Sequence, residues 1–170
     1  LGQILCGISR PSHFNGVAQV VNRLLDIVKP NYSVFGQKDY QQLLIIKSLV
    51  KSKDLDTIVE SVPTIREDNG LAMSTRNKYL SEDERANASL FYHQLVKAKK
   101  AIESGVAIEL ARQQALSSLS DLFEVEYVEV LDANNLTQIK TNTEEIIIIS
   151  SVRLGETRLI DNILFRSSNV

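Results

Sequence analysis

The way the hydrophobic period changes along this chain limits its fold more than any single motif does. Val17, Val20, Val21, Leu24, Leu25 and Val28 recur every three to four positions, which predicts an amphipathic helix over roughly residues 15–29. Pro30 closes it. Tyr32 to Phe35 reads as a short strand. Leu43, Ile46, Leu49 and Val50 mark a second helix beginning near Lys38, and Leu55 to Val62 reads as a strand ending at Pro63. Helix, strand, helix, strand is the repeating unit of a parallel sheet with helical crossovers.

The pattern then breaks. Residues 64–80, TIREDNGLAMSTRNKYL, show no period, and the polar cluster around Gly70 reads as a loop. Ser81 and Glu84 have the spacing of a capping box. The helix it opens carries an apolar stripe of Phe91, Leu95, Ala98 and Ile102 and stops at Gly105. Ile108, Ala111, Ala115, Leu119 and Leu122 carry another helix. Val125 to Leu131, Glu145 to Val152 and Thr157 to Phe165 read as three strands, with Gly155 turning a hairpin between the last two. The chain is therefore expected to be α/β and parallel over 1–63, a loop over 64–80, and a small α+β domain over 81–170, with two helices and an antiparallel three-stranded sheet.

Composition narrows the function. A hydrophobic fraction of 44% can build a core, and 19 basic against 21 acidic residues leave no basic surface for nucleic acid. No apolar run approaches the ~18 residues of a membrane span. Cys6 is the only cysteine, which excludes an internal disulfide and fits a reducing cytoplasm. The opening LGQILCG lacks a charged segment before an apolar one, so it does not read as a signal peptide. It reads as the interior of a longer chain.

Three stretches hold chemistry-bearing residues. In GQKDYQQ, a strand gives way to a helix at Gly36, Gln37, Lys38 and Asp39. Ligands of open parallel sheets bind beyond the carboxyl ends of strands, and a helix start favours anions. Gly36 admits close backbone approach, Lys38 offers a point charge to phosphate, and Asp39 suits a ribose hydroxyl or a Mg²⁺ shell. Gln42, one turn on, presents an amide. The same residues equally fit a helix cap beside a solvated lysine. In MSTRN, Ser74, Thr75 and Arg76 suit phosphate oxygens, while Ser, Thr and Asn also favour turns. In RPSHFNGV, Arg10 and His13 precede the first helix, where His13 either touches phosphate or caps and packs. His93 reads as a surface histidine.

Taken in order, RPSHFNGV, VFGQKDYQQL, GLAMSTRNKYL and RLIDN resemble the pantoate–β-alanine ligase family across nearly the whole chain. Four motifs in register are far more specific than any one. The resemblance implies that pantoate and ATP form pantoyl adenylate and pyrophosphate, with Mg²⁺ assisting, and that β-alanine then displaces AMP. It implies the C-terminal part of a Rossmann-like nucleotidyltransferase domain followed by the small domain, in a homodimer.

Site roles follow by position. Gly36, Gln37, Lys38 and Asp39 match the family's ATP-binding GxKD, with Asp39 a candidate for Mg²⁺ through water. Gln42 matches a glutamine that holds pantoate. Met73, Ser74, Thr75 and Arg76 match a loop that grips the triphosphate and resembles the KMSKS loop of class I aminoacyl-tRNA synthetases. Lys38 and Arg76 are the expected catalytic residues, and Arg10 and His13 expected phosphate or substrate contacts.

Some positions depart from the family pattern. Ile65 stands where the family usually has a valine whose backbone reaches adenine, Thr75 replaces a serine and keeps its hydroxyl, and Asn15 replaces a frequent arginine. The family's HxGH motif has no match among the 170 residues, whose only histidines are His13 and His93. The resemblance therefore implies an N-terminal half that carries it, and a chain that is inactive by itself. Two other readings remain: a non-catalytic nucleotide-binding or interaction module, and a different nucleotidyltransferase.

Overall fold

The computed structural model describes residues 1–166. The last four residues of the 81–170 stretch lie outside the described residues. The chain divides into two units, Leu1–Thr64 and Ile65 onward.

The first unit opens with a short helix α1, Cys6–Ser9, followed by α2, His13–Val28. Ser12 before α2 is left-handed, with φ 66, and its side chain makes no capping bond. Strand β1, Tyr32–Gly36, leads through a single 3-10 turn, Gln37–Asp39, into α3, Tyr40–Ser52, and then to β2, Ile58–Val62. β1 and β2 pair in parallel, Tyr32 against Ile58 and Gly36 against Val62, so α3 is the crossover that the alternation predicts. β2 starts later than the apolar run suggests. Asp54 adopts φ 51 beyond the end of α3, and the Thr57 hydroxyl donates to the Pro30 carbonyl at 2.7 Å, so Leu55 to Thr57 form the turn into the strand.

Gln41 ties the N-terminal segment to α3. Its buried amide donates to the carbonyls of Leu1 at 2.7 Å and Ile4 at 2.8 Å. On the sheet, Tyr32, Val34, Ile58 and Val62 share one face and are all exposed, as are Val20, Leu24, Ile27 and Val28 of α2.

The second unit holds α4, Glu82–Glu103, α5, Ile108–Ser120, and strands β3, Glu124–Asp132, β4, Glu145–Leu154, and β5, Thr157–Arg166. The Ser81 and Glu84 side chains each bond the other's backbone N–H, a full capping box. Gly105 takes φ 90 just past α4, where a residue with a Cβ would be strained. The sheet is antiparallel in the order β3-β4-β5. Leu154 pairs with Thr157 across a two-residue turn whose first residue, Gly155, has φ 53.

Phe91, Leu95 and Ile102 of α4 and Leu119 of α5 pack on Ile146, Ile148 and Val152 of β4 in one core. β4 is the central strand, and Ile146, Ile147 and Ile148 are all fully buried, so its isoleucines run without polar alternation. Each such side chain contributes on the order of 1.5–3 kcal/mol of burial.

Candidate functional site

The candidate residues fall into two sets, one in each unit. In the first, Gly36 ends β1 in extended backbone with φ −72, and a Cβ built there would meet nothing within 4 Å. Its conformation therefore does not require glycine. What glycine leaves is open space at the carboxyl end of the strand, the end at which parallel sheets bind ligands. Gln37 and Lys38 are half-buried and Asp39 is exposed. Asp39 occupies the N-cap position of α3, yet its carboxylate makes no capping bond. The helix-cap alternative for Asp39 thus has no support in the geometry. Gln42 lies half-buried in the first turns of α3, on the same junction. Arg10 and His13 meet each other, with Nη2 3.1 Å from the imidazole Nδ1, and Asn15 is exposed in the first turn of α2.

In the second unit, residues 65–73 form a small antiparallel ribbon. The Met73 N–H donates to the Ile65 carbonyl at 2.9 Å, Arg66 bridges Ala72, and the Glu67 carbonyl accepts from the Gly70 N–H at 2.8 Å to close the turn. The ribbon runs straight into a 3-10 turn, Thr75–Tyr79, capped by the Ser74 hydroxyl, which accepts from the Arg76 N–H at 3.2 Å. So Ser74 is a turn former here, as its residue type favours. Met73, Thr75, Arg76 and the side chain of Ile65 are exposed. A shallow depression of about 590 Å³ is lined by Met73, Ser74, Thr75 and Lys78 on this loop and by Glu67, Asn77 and Arg85 beneath it.

The residues beneath the loop were not evident from the sequence. Asn77 is buried and donates its amide to Glu67 Oε1 at 2.9 Å and to the Ala72 carbonyl at 3.2 Å. Arg85 donates to Glu67 Oε2 at 3.1 Å. These bonds, Asn77 first and Arg85 next, hold the Glu67 carboxyl below the usual carboxylate range, against the opposing effect of burial. Arg66 makes a bidentate pair with Asp161, 2.6 Å and 2.9 Å, and its guanidinium lies 3.5 Å from the centroid of the Tyr92 ring. Asp161 is buried on β5, where an ionised group needs a partner. Among the described residues no group of three or more His, Cys, Asp or Glu side chains is placed to hold a metal. No helix among them is long and apolar enough to cross a membrane.

Comparison with known proteins decides the family. Residues 1–164 match the family model described as Pantoate-beta-alanine ligase. The chain belongs to the pantoate–β-alanine ligase family. Among curated relatives it is 52% identical over 165 residues to the pantothenate synthetase of Vesicomyosocius okutanii, covering 97% of this chain and 58% of that protein. It is also 52% identical over 166 residues to that of Ruthia magnifica, covering 98% and 60%. The chain thus spans about three fifths of the length of the curated relatives it matches.

Among solved structures, pantothenate synthetase from Thermus thermophilus superposes with a TM-score of 0.90 at 35% identity, over 95% of this chain and 59% of that one. The Francisella tularensis ligase, solved with Beta-gamma ATP and Beta-alanine, gives 0.71 at 32% identity, over 96% and 54%. The two-stranded parallel sheet and the separate three-stranded antiparallel sheet are therefore the fold of this ligase family over the matched length.

Proposed function

We propose that this chain forms the GQKD and MSTR portions of an ATP-dependent ligase that joins pantoate to β-alanine. The observation that carries the reading is the family match over residues 1–164, in which both portions are intact. A pantoate carboxylate oxygen attacks the α-phosphorus of ATP, the bond to the β-phosphate breaks, and pyrophosphate leaves. The β-alanine amine then attacks the acyl carbon of the pantoyl adenylate, loses a proton, and AMP departs with the bonding pair.

Negative charge grows on the transferred and leaving phosphates in the first step, and preorganised donors aimed at such charge are usually the largest catalytic term. Lys38 and Arg76 supply that charge in this reading. Gly36, Gln37, Ile65, Met73, Ser74 and Thr75 line the nucleotide, and Gln42 orients pantoate. Arg10 and His13 are further candidates for a phosphate contact. Magnesium suits Asp39, because this ion takes one or two carboxylates and keeps waters and phosphate oxygens as its remaining ligands. The Asp39 carboxylate is exposed and uncommitted to capping. Residues 81–166 serve as a lid over nucleotide, with 64–80 as the phosphate-binding hinge, which would shield the reactive adenylate from water. The working protein is a cytoplasmic homodimer with no nucleic-acid partner. The 170 residues alone are inactive, because the family's HxGH histidines have no counterpart in them.

The test is pantothenate formation by the full-length protein from ATP, Mg²⁺, pantoate and β-alanine, with AMP and pyrophosphate as co-products. Stoichiometric pantothenate and AMP are expected. ATP binding without either product would replace this reading with the non-catalytic nucleotide-binding module.

A further inference from the structure

We propose that Arg66, Asp161 and Tyr92 form a clamp that positions the Ser74–Arg76 loop for the nucleotide, a role that rests on the ligase reading above. Thr75 and Arg76 are exposed, and among the described residues the Ser74 hydroxyl bonds within its own turn. The loop's placement therefore depends on what holds the ribbon immediately before it. The Met73 N–H donates to the Ile65 carbonyl at 2.9 Å and the Glu67 N–H to the Leu71 carbonyl at 2.8 Å, and these two bonds flank the bridge between Arg66 and Ala72.

Arg66 is where the ribbon is fastened. Its guanidinium makes four hydrogen bonds, two to Asp161 on β5, one to the Gly70 carbonyl at 3.1 Å and one to the Asn162 carbonyl at 3.4 Å. Its flat face covers Tyr92 on α4. A planar fork between a carboxylate and a ring fixes orientation as well as distance. Gly70 adds a second constraint at the other end of the ribbon. With φ 91, a Cβ there would lie 2.8 Å from Tyr92 Cδ1, so the turn presses on the ring that Arg66 covers. Asp161 is only 2% exposed. A buried ion pair is weak support for stability and better support for a unique arrangement. Here the arrangement it specifies is that of the ribbon leading into Ser74, Thr75 and Arg76. These are positioning residues, acting through the loop, since none of the three lines the depression.

The test is steady-state kinetics of Asp161→Asn in the full-length protein, with near-ultraviolet circular dichroism to establish that it folds. Asparagine keeps the shape and removes the charge. A phosphate loop shifted by about an ångström costs up to roughly a hundredfold. The expected result is a kcat/KM for ATP lower by about tenfold or more, with kcat/KM for β-alanine within about twofold of the parent. A purely structural role would instead lower kcat/KM for ATP and for β-alanine by the same factor.

If Asp161→Asn does not fold, Tyr92→Leu removes the ring without stranding a charge. It is expected to lower kcat/KM for ATP about threefold or more, again without moving that for β-alanine. Folded variants whose kcat/KM for ATP matches the parent, or whose kcat/KM falls equally for ATP and β-alanine, overturn the clamp. Failure of the parent itself to make pantothenate overturns the ligase reading and the clamp's function with it.

Discussion

Arg66 and Arg76 lie ten positions apart in the same loop region, and the structure predicts opposite consequences for removing them. Arg66→Ala takes bonds of 2.6 Å and 2.9 Å away from Asp161, a carboxylate only 2% exposed. Removing one partner of a buried pair costs about 3–5 kcal/mol. The Asn162 N–H still donates to Asp161 Oδ1 at 2.7 Å, so the lower end, about 3 kcal/mol, is the figure to expect. That lowers Tm by about 6 °C or more if the chain melts as one body, and by about 12 °C or more if the second unit melts by itself.

Arg76 is exposed, and its side chain is not among the groups that fasten the loop. Arg76→Ala should therefore change stability by about 0.5 kcal/mol or less, a Tm shift of about 3 °C at most. Its effect belongs to chemistry: loss of one charge-stabilising donor costs about 3 kcal/mol, or roughly a hundredfold in kcat/KM for ATP. Differential scanning calorimetry and a pyrophosphate-release assay on both full-length variants separate the two. An Arg66→Ala protein that melts within about 2 °C of the parent would refute the reasoning about Asp161. An Arg76→Ala protein with unchanged ATP use would refute the loop's role.

Lys38→Ala in the full-length protein should lower adenylation by roughly a hundredfold while leaving the melting temperature within a few degrees, since Lys38 sits in a short turn at a strand end; unchanged pyrophosphate release would make it an ordinary surface charge. Stability should also fall in acid in a specific way. The Glu126 carboxyl is held below its ordinary value of 4.5, first by hydrogen bonds from Arg158 and, further down, by Ser151 and Arg153. A carboxyl lowered in the folded state stabilises the protein above its unfolded value, and that stability is lost as pH falls through the lowered folded value. Tm should therefore be nearly flat from neutral pH to about 5 and drop below about 4, and Glu126→Gln should start lower and drop less. Equal losses in parent and variant over that range would show that Glu126 does not contribute.

Elements were legible in the sequence wherever one period persisted. The stripe through Phe91, Leu95, Ala98 and Ile102 marked α4, and Ser81 with Glu84 marked its start, because these signals are local. Burial was less legible. The apolar positions that define α2 include Val20, Leu24 and Val28, which are exposed, whereas Phe14 and Leu25 are the buried ones. A period locates a helix but does not say which of its apolar side chains are covered. The aperiodic stretch 64–80 hid both a ribbon and a 3-10 turn, since a ribbon of nine residues is too short to show alternation.

The candidate site divides in the same way. Lys38, Asp39 and Arg76 announce themselves as polar groups between apolar runs. Arg66 has no local signal at all, because its partner is 95 residues away. RLIDN stood out as a motif, but only the register of β5 against β4, Asp161 opposite Ser150, shows which way its acid faces.

That separation of 95 residues has a consequence for how the protein is made. A chain emerges from the ribosome in order, at about 5–20 residues per second. Arg66 is therefore synthesised roughly 5–19 s before the carboxylate that orients it, and through that interval the Ser74–Arg76 segment has been translated without its anchor. The newborn chain cannot set the ribbon before Ser74 in its finished geometry until β5 has been added to the hairpin it shares with β4. Ribosome-stalled chains ending before Asp161 should be cut readily by trypsin after Arg66, and chains extending well past Arg166 should resist. Equal cutting of the two would mean that the ribbon takes its final shape without waiting for the last strand.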